Sequence, residues 1–376
     1  MRHATRQRGS GPPGKTPVPN PVPATPASYG RPVVRMTTTP APGLTAVLDT
    51  TRTLLEPALR EAVATHLGPQ MNRIARYHFG WSDAEGRPTG AWGGKMIRPN
   101  LALLSARAAG AEAEDGLPAA VAIELVHNFS LLHDDIMDGD ETRRGRATAW
   151  TVFGVPGAIL AGDALVAAAT CVLLAAPAAG ARSATLALTA ATRRMIDGQA
   201  ADSEFERRED VTLAECVRMA GDKTGALLGS ACALGADLQG AEPRLVERLE
   251  AFGEHIGLAF QLVDDLLGIW GESAHTGKQV GADLRVRKKS LPVVAALNAP
   301  GTDELRALYL RPEPLTEPDI RRVTTLVERA GGRDWAQNEA DRQIAAAEEC
   351  LTAVDLPDDV RGAFTEVAGF VVGRRL

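Results

Sequence analysis

The chain has 376 residues, 45% of them hydrophobic, and its 41 Lys and Arg stand against 47 Asp and Glu for a formal net charge of −6. A chain of this length and apolar content can bury a large core, and its acidic balance argues against a general nucleic-acid binder. Four widely spaced cysteines without a CxxC pair, Cys171, Cys216, Cys232 and Cys350, suit small buried hydrophobes in a reducing compartment better than disulfides or zinc.

Residues 1–43 hold ten of the 24 prolines, six Lys or Arg and no Asp or Glu. Such a stretch cannot pack a core, so a disordered Pro-rich basic tail is expected over 1–43 and one folded domain over 44–376. The tail is either a dispensable linker or a tether able to dock on an acidic partner, a membrane surface or the inside of a protein shell. Its basic start runs into Pro and Gly rather than an apolar segment, so no secretory signal is read and a soluble, cytoplasmic protein is expected. Ala and Leu dominate the rest, Tyr and Trp are few and period-two alternation is hard to find, which predicts an all-α fold.

Leu44, Val47, Leu48, Leu54, Leu55, Leu59 and Val63 form the first helical stripe, interrupted by a polar connection from Trp81 to Gly94. Then comes Gly93-Gly94-Lys95-Met96-Ile97-Arg98-Pro99. Its paired glycines let a ligand approach the backbone, and Lys95 with Arg98 adds two cations to a helix start. Alone, a Gly-Gly-Lys turn is usually only a turn.

Leu117 to Asp138 reads as a long apolar helix with Glu124, His127 and Ser130 as its polar positions. At its end Asp134 and Asp138 lie one turn apart on one face, Asp135 lies about 100° around, and His127 lies two turns before Asp134. Three carboxylates at the negative pole of a helix repel one another unless a cation sits between them. Oxygen-only ligands favour Mg2+, held by carboxylates together with a substrate's phosphates, which the adjacent Arg143-Arg144 pair would suit. On its own the run is more often a solvated acidic loop before a basic turn.

The Ala-rich segment between Asp163 and Arg182, broken by Pro177 and Gly180, reads as a buried hairpin rather than a membrane span. A helix through Met195 to Asp202 follows, and Thr212 with Glu215 forms a capping box that opens the helix bearing Gly221-Asp222-Lys223-Thr224-Gly225. Leu245, Leu249, Phe252, Ile256, Phe260, Val263 and Leu267 recur at steps of three and four, and the helix they define carries Gln261 and a second pair, Asp264-Asp265. Two aspartates in so apolar a setting are costly unless paired or metal-bound. A basic run ends at Lys288-Lys289, and Arg321 to Leu351 and Asp358 to Val372 read as surface helices closing the bundle.

Two aspartate clusters and the cations Lys95, Arg98, Arg143, Arg144, Lys223 and Lys288 are together what two diphosphates and their Mg2+ ions require. No Ser/His/Asp or Cys/His arrangement stands out as a nucleophile, so chemistry driven by metal and charge is expected.

The ordered motifs resemble those of the trans-prenyl diphosphate synthase family over roughly residues 44–376: Gly-Gly-Lys-x-x-Arg-Pro at 93–99, Glu-Leu-x-His at 124–127, Asp-Asp-x-x-Asp at 134–138, Arg-Arg-Gly at 143–145, Lys-Thr at 223–224, Gln-x-x-Asp-Asp at 261–265 and the Lys288 region. The resemblance implies an isoprenoid synthase-type helical bundle around a central cavity, the two Asp motifs facing each other across its mouth, and a homodimer. It implies that Asp134, Asp135 and Asp138 hold two Mg2+ and Asp264, beside Asp265, a third. Arg143, Lys223, Thr224, Gln261 and Lys288 would complete an allylic diphosphate site, and Lys95, Arg98, His127 and Arg144 would hold isopentenyl diphosphate.

Two departures stand out. Gly268 replaces the usual third Asp of the second motif, and Arg287 replaces the Gly that normally precedes the matching Lys. Phe129 and Ser130, five and four residues before Asp134, resemble the pattern of enzymes that stop near twenty carbons, which gives geranylgeranyl diphosphate as the expected product. A class I terpene synthase is the alternative enzyme, but an isopentenyl site argues against it. A non-catalytic regulatory subunit would be expected to have lost the first Asp motif, which is complete here.

Overall fold

Two helices are apolar on nearly every side, and the rest of the chain packs around them. The computed structural model describes residues 42–90, 94–271 and 280–373, with side chains from Leu48 onward; Gly93 and the expected tail before Pro42 lie outside these residues. In chain order the elements are α1 (Pro42–His66), α2 (Pro69–His78), α3 (Ile97–Ala108), α4 (Leu117–Met137), a hairpin of β1 (Thr142–Arg143) and β2 (Arg146–Ala147), α5 (Ala149–Phe153), α6 (Val155–Ala175), α7 (Ala181–Phe205) and α8 (Leu213–Ala220). A π-helical turn (Gly221–Gly225) leads into α9 (Ala226–Leu238) and α10 (Pro243–Trp270). The remainder is α11 (Ala282–Arg285), α12 (Leu291–Leu297), α13 (Asp303–Tyr309), α14 (Glu317–Arg329), α15 (Gly332–Thr352) and α16 (Asp358–Val372). The expected all-α class holds.

α4 and α9 are the central pair: nearly every residue of α9 and two faces of α4 are buried, the pattern of helices enclosed by others. α4 packs on α3 and α6, and α9 on α3, α7 and α10, while α10 also carries α15 on its outer side. The long stripe read in α10 is confirmed at its core, where Leu249, Phe252 and Ile256 are buried. Buried aromatic and aliphatic side chains of this kind contribute about 1.5–3 kcal/mol each on leaving water.

Three local readings change. The connection after α2 is anchored rather than loose, because buried Trp81 stacks on Phe79 at 4.5 Å and lies under the Arg60 guanidinium. The segment from Arg321 to Leu351 is two helices, broken where Gly331 turns left-handed (φ 79). The α6–α7 hairpin is buried on one side only. α6 is long and apolar enough to cross a membrane, yet it packs its Ala158, Ala161, Leu165 and Leu173 face inward and leaves Leu160 (55% exposed) and Leu174 outside, as α7 leaves Leu186 (62%).

Candidate active site

α4 delivers the first aspartate cluster. Asp134 lies on a cavity wall, where burial, opposed by Lys223 and reinforced by Asp138, raises its carboxyl to about 6. Asp138 caps the helix on the exposed side and is likewise raised, by burial first. Asp135, expected as a metal ligand, is paired within the protein. Its side chain is buried, Oδ1 accepts a 2.6 Å hydrogen bond from Nε of Arg143, and Oδ2 has no partner. Its Oδ1 thereby fixes Arg143.

The sequence Arg-Arg-Gly makes sense as a turn. Arg143 pairs with Arg146 across the hairpin, and the two residues between them, Arg144 and Gly145, are both left-handed (φ 54 and 73), as a two-residue type I′ turn requires. Arg146 pins the hairpin to α2: it donates to the carbonyls of Tyr77 and Ser82 and lies over the Tyr77 ring, whose hydroxyl donates to Ala147 O at 2.8 Å.

Arg144 thereby faces a chamber of about 500 Å3 lined also by Lys95, Arg98, Glu124, His127, Thr224, Phe260 and Phe370. Lys95 lies over the Phe370 ring at 5.1 Å. Nε of Arg98 is buried without a hydrogen-bond partner, and burial lowers the Arg98 guanidinium despite nearby Glu124. Burial, then Arg98 and Arg144, hold His127 far below its ordinary value, so it stands neutral. Glu124 is raised by burial, against a 2.8 Å hydrogen bond from Asn128. Behind Arg144, His78 is pushed down to about 3 by burial and then by Arg144 and Arg143. A partly desolvated set of cations with an unmet donor calls for an anion.

A second chamber of about 460 Å3 shares Arg98, His127 and Thr224 with the first and continues past Asp134, Lys223, Met195, Ile196 and Leu227 to Phe129 and Ser130. Phe129 meets His133 edge to face at 4.7 Å, and the Ser130 hydroxyl donates to His127 O. Lys223 enters from the π-turn, where α7 approaches so closely that a Cβ on Gly198 would sit 2.3 Å from Lys223 N. Its ammonium pairs with Asp202, which the sequence offered no reason to select.

On α10, Asp265, expected beside the third metal, is engaged within the protein. It is buried and accepts from Nζ of Lys288 (2.9 Å), Nε2 of Gln261 (3.0 Å) and the backbone N–H of Leu291 (2.9 Å). Gln261 in turn accepts from the Thr224 hydroxyl at 3.0 Å, so a chain of hydrogen bonds ties the π-turn to α10 and α12. Asp264 is half-buried beside it. Asp202, paired with Lys223, also disfavours the charged form of Asp138 and favours that of Lys288. Lys288 is raised overall, its burial outweighed by Asp265 and Asp283.

Among the described residues no three His, Cys, Asp or Glu converge to hold an ion unaided. The donor set still fits magnesium, because Asp134 and Asp138 present crowded oxygen-only ligands whose charge burial disfavours, and Mg2+ characteristically completes its shell with water and substrate phosphate.

An all-α bundle with two adjoining chambers, one rimmed by cations and one running from Asp134 into apolar walls, is the architecture of a prenyltransferase of the trans-prenyl diphosphate synthase class. Residues 89–353 match the polyprenyl synthetase family, and the chain belongs to that family. It is 45% identical over 334 residues to a (2E,6E)-farnesyl diphosphate synthase of Mycobacterium tuberculosis, covering 88% of this chain and 93% of that protein. It is 44% identical over 324 residues to a geranylgeranyl diphosphate synthase of the same organism, covering 84% and 89%. The crystal structure of a polyprenyl synthetase from Streptomyces coelicolor A3(2) aligns with a TM-score of 0.82 at 53% identity, over 88% of this chain and 99% of that one.

Proposed function

We propose that this prenyltransferase condenses isopentenyl diphosphate with an allylic diphosphate and stops at geranylgeranyl diphosphate. The observation that carries the reading is the pair of chambers sharing Arg98, His127 and Thr224, which brings two diphosphate substrates side by side with their reacting carbons between them. Lys95, Arg98 and Arg144, with neutral His127, hold isopentenyl diphosphate; Lys223 and Lys288 face the allylic diphosphate. Asp134, Asp138 and Asp264 are the carboxylates that would hold three Mg2+, with Asp135 and Asp265 orienting Arg143 and Lys288. When bound, magnesium supplies Lewis-acid neutralisation of the departing diphosphate.

The side chains do the rest. Lys223 and Lys288 meet the negative charge that grows as the allylic carbon–oxygen bond breaks. The apolar walls at Phe129, Met195 and Leu227 keep water from the allylic cation until the isopentenyl double bond attacks, and the cation so formed then loses a proton to the released diphosphate to give the new double bond. Phe129, packed on His133, supports a floor near twenty carbons. The farnesyl diphosphate synthase relatives favour a second reading, a stop at fifteen.

The exposed apolar row of Leu160, Leu174 and Leu186 supports a homodimer through α6 and α7. Four free thiols support a cytoplasmic setting. The test is an incubation with Mg2+, isopentenyl diphosphate and dimethylallyl, geranyl or farnesyl diphosphate in turn, with mass analysis of the hydrolysed products. C20 prenol is expected; C15 alone replaces the product assignment, cyclic hydrocarbons point to a terpene synthase, and no product points to a regulatory subunit.

A further inference from the structure

Three residues of α7 at steps of four, Arg194, Gly198 and Asp202, present one face to the π-turn. Gly198 admits the main chain there: a Cβ on it would lie 2.3 Å from Lys223 N, 2.8 Å from its Cα and 2.9 Å from Asp222 C. These are backbone atoms, so nothing in the contact can swing aside. On one side of the glycine Asp202 takes the Lys223 ammonium, and on the other Arg194 takes the carboxylate of Asp222, Nε donating to Oδ1 at 2.9 Å.

Arg194 has a second partner. Its Nη1 donates to Oε1 of Glu254 on α10, so one guanidinium joins α7, the π-turn and α10. The Glu254 backbone is close to the same turn, its carbonyl oxygen lying 3.3 Å from the place a Cβ on Gly225 would take. The Arg194 side chain is only 35% exposed and both carboxylates are half-buried, which makes these charge-assisted bonds stronger than a loose surface pair. The outer face of α7 supplies the contrast, where Arg193 bonds Asp197 at 3.0 Å with both side chains exposed.

We propose that Arg194 is a positioning residue for Lys223: by tying Asp222 to α10 it holds the π-turn at the height from which the next side chain enters the second chamber beside Asp134. The charges of α7 and of the turn match in register, Arg194 on Asp222 and Asp202 on Lys223 with the glycine between them. A turn slipped by one residue would break both pairs and bring Lys223 toward Arg194. The kinetic consequences rest on the prenyltransferase reading, while the three-way contact of Arg194 stands independently of it.

The test compares the parent with Arg194→Ala, Arg194→Lys, Asp222→Asn, the double variant Arg194→Ala/Asp222→Asn and, as a control on the outer face, Arg193→Ala. Each is measured by thermal unfolding without ligand and by steady-state kinetics well below its Tm, with the allylic diphosphate and isopentenyl diphosphate varied in turn. Arg194→Ala is expected to cut kcat about tenfold while moving the KM for isopentenyl diphosphate by less than about twofold, and Arg194→Lys to recover much of the loss. The double variant should be no slower than Arg194→Ala, because both changes cut the same link. Arg193→Ala should match the parent. An Arg194→Ala enzyme that loses Tm but keeps the parent's kcat, or losses that multiply in the double variant, would overturn the proposal. If Arg194→Ala does not fold, parental kcat in both Arg194→Lys and Asp222→Asn would overturn it as well. A parent that forms no prenol from any allylic starter would overturn the functional reading instead, and the unfolding arm would still report whether Arg194 and Asp222 are coupled.

Discussion

At the scale of single residues, burial and partner decide which acid does what. Asp134 and Asp135 are neighbours of identical chemistry, yet the helix turns one toward the chamber and the other into contact with Arg143. Helical spacing gives the angle between them but not what lies at the end of each, so the Arg143 pairing of Asp135 was not legible. Asp202 and Phe370 were missed for the same reason: their partners lie 21 and 275 positions away, beyond any local pattern (Lys223 and Lys95). Phe129 lines the same chamber as Asp134, as its place five residues earlier on the helix led one to expect. Phe129→Ala is expected to lengthen the main prenol by at least one isoprene unit, read by mass; an unchanged length would remove it as the floor. His78 gives a pH prediction. Its folded value of about 3 lies below the ordinary histidine value of about 6.5, so the unfolded chain takes up the proton first. Stability is fully present above pH 6.5 and falls as the pH drops from there toward 3. His78→Gln is expected to flatten that part of the Tm-against-pH curve, and an unchanged slope would show that His78 is not responsible.

At the scale of elements, what periodicity and capping govern was readable. The bounds of α4, the α10 stripe and the Thr212–Glu215 capping box, with Thr212 Oγ1 accepting from Glu215 N and the Glu215 carboxylate from Thr212 N, all lie where local chemistry put them. The π-turn at Gly221–Gly225 was not readable, because it exists through tertiary fit. α7 presses on it at Gly198, and α10 presses on it at Gly257, whose Cβ would lie 2.6 Å from Gly225 Cα. Such turns recur where a helix must re-aim a functional side chain. Gly198→Ala should therefore cost about 1–3 kcal/mol by overpacking and, by shifting Lys223, should lower kcat more than it raises KM. Unchanged kinetics at full stability would mean that the turn has room to yield.

At the scale of the whole molecule, the central helices, the chambers and the paired aspartates follow from hydrophobic pattern and charge, whereas the exposed face of α6 and α7 does not. Its alanines suggested burial within one chain, and the structure leaves one side of that hairpin uncovered. On the dimer proposed above, Leu160→Arg with Leu186→Arg is expected to halve the mass seen by light scattering; an unaltered mass would move the interface elsewhere. Removal of residues 1–43 is expected to leave the turnover of purified enzyme intact, and a large loss would give the tail a part in the site. The partition between the two chambers has a pharmacological consequence. Because the same arginine, histidine and threonine border both, one rigid compound with an acidic group at either end should displace both reactants together. Its inhibition would then be competitive with whichever of them is varied.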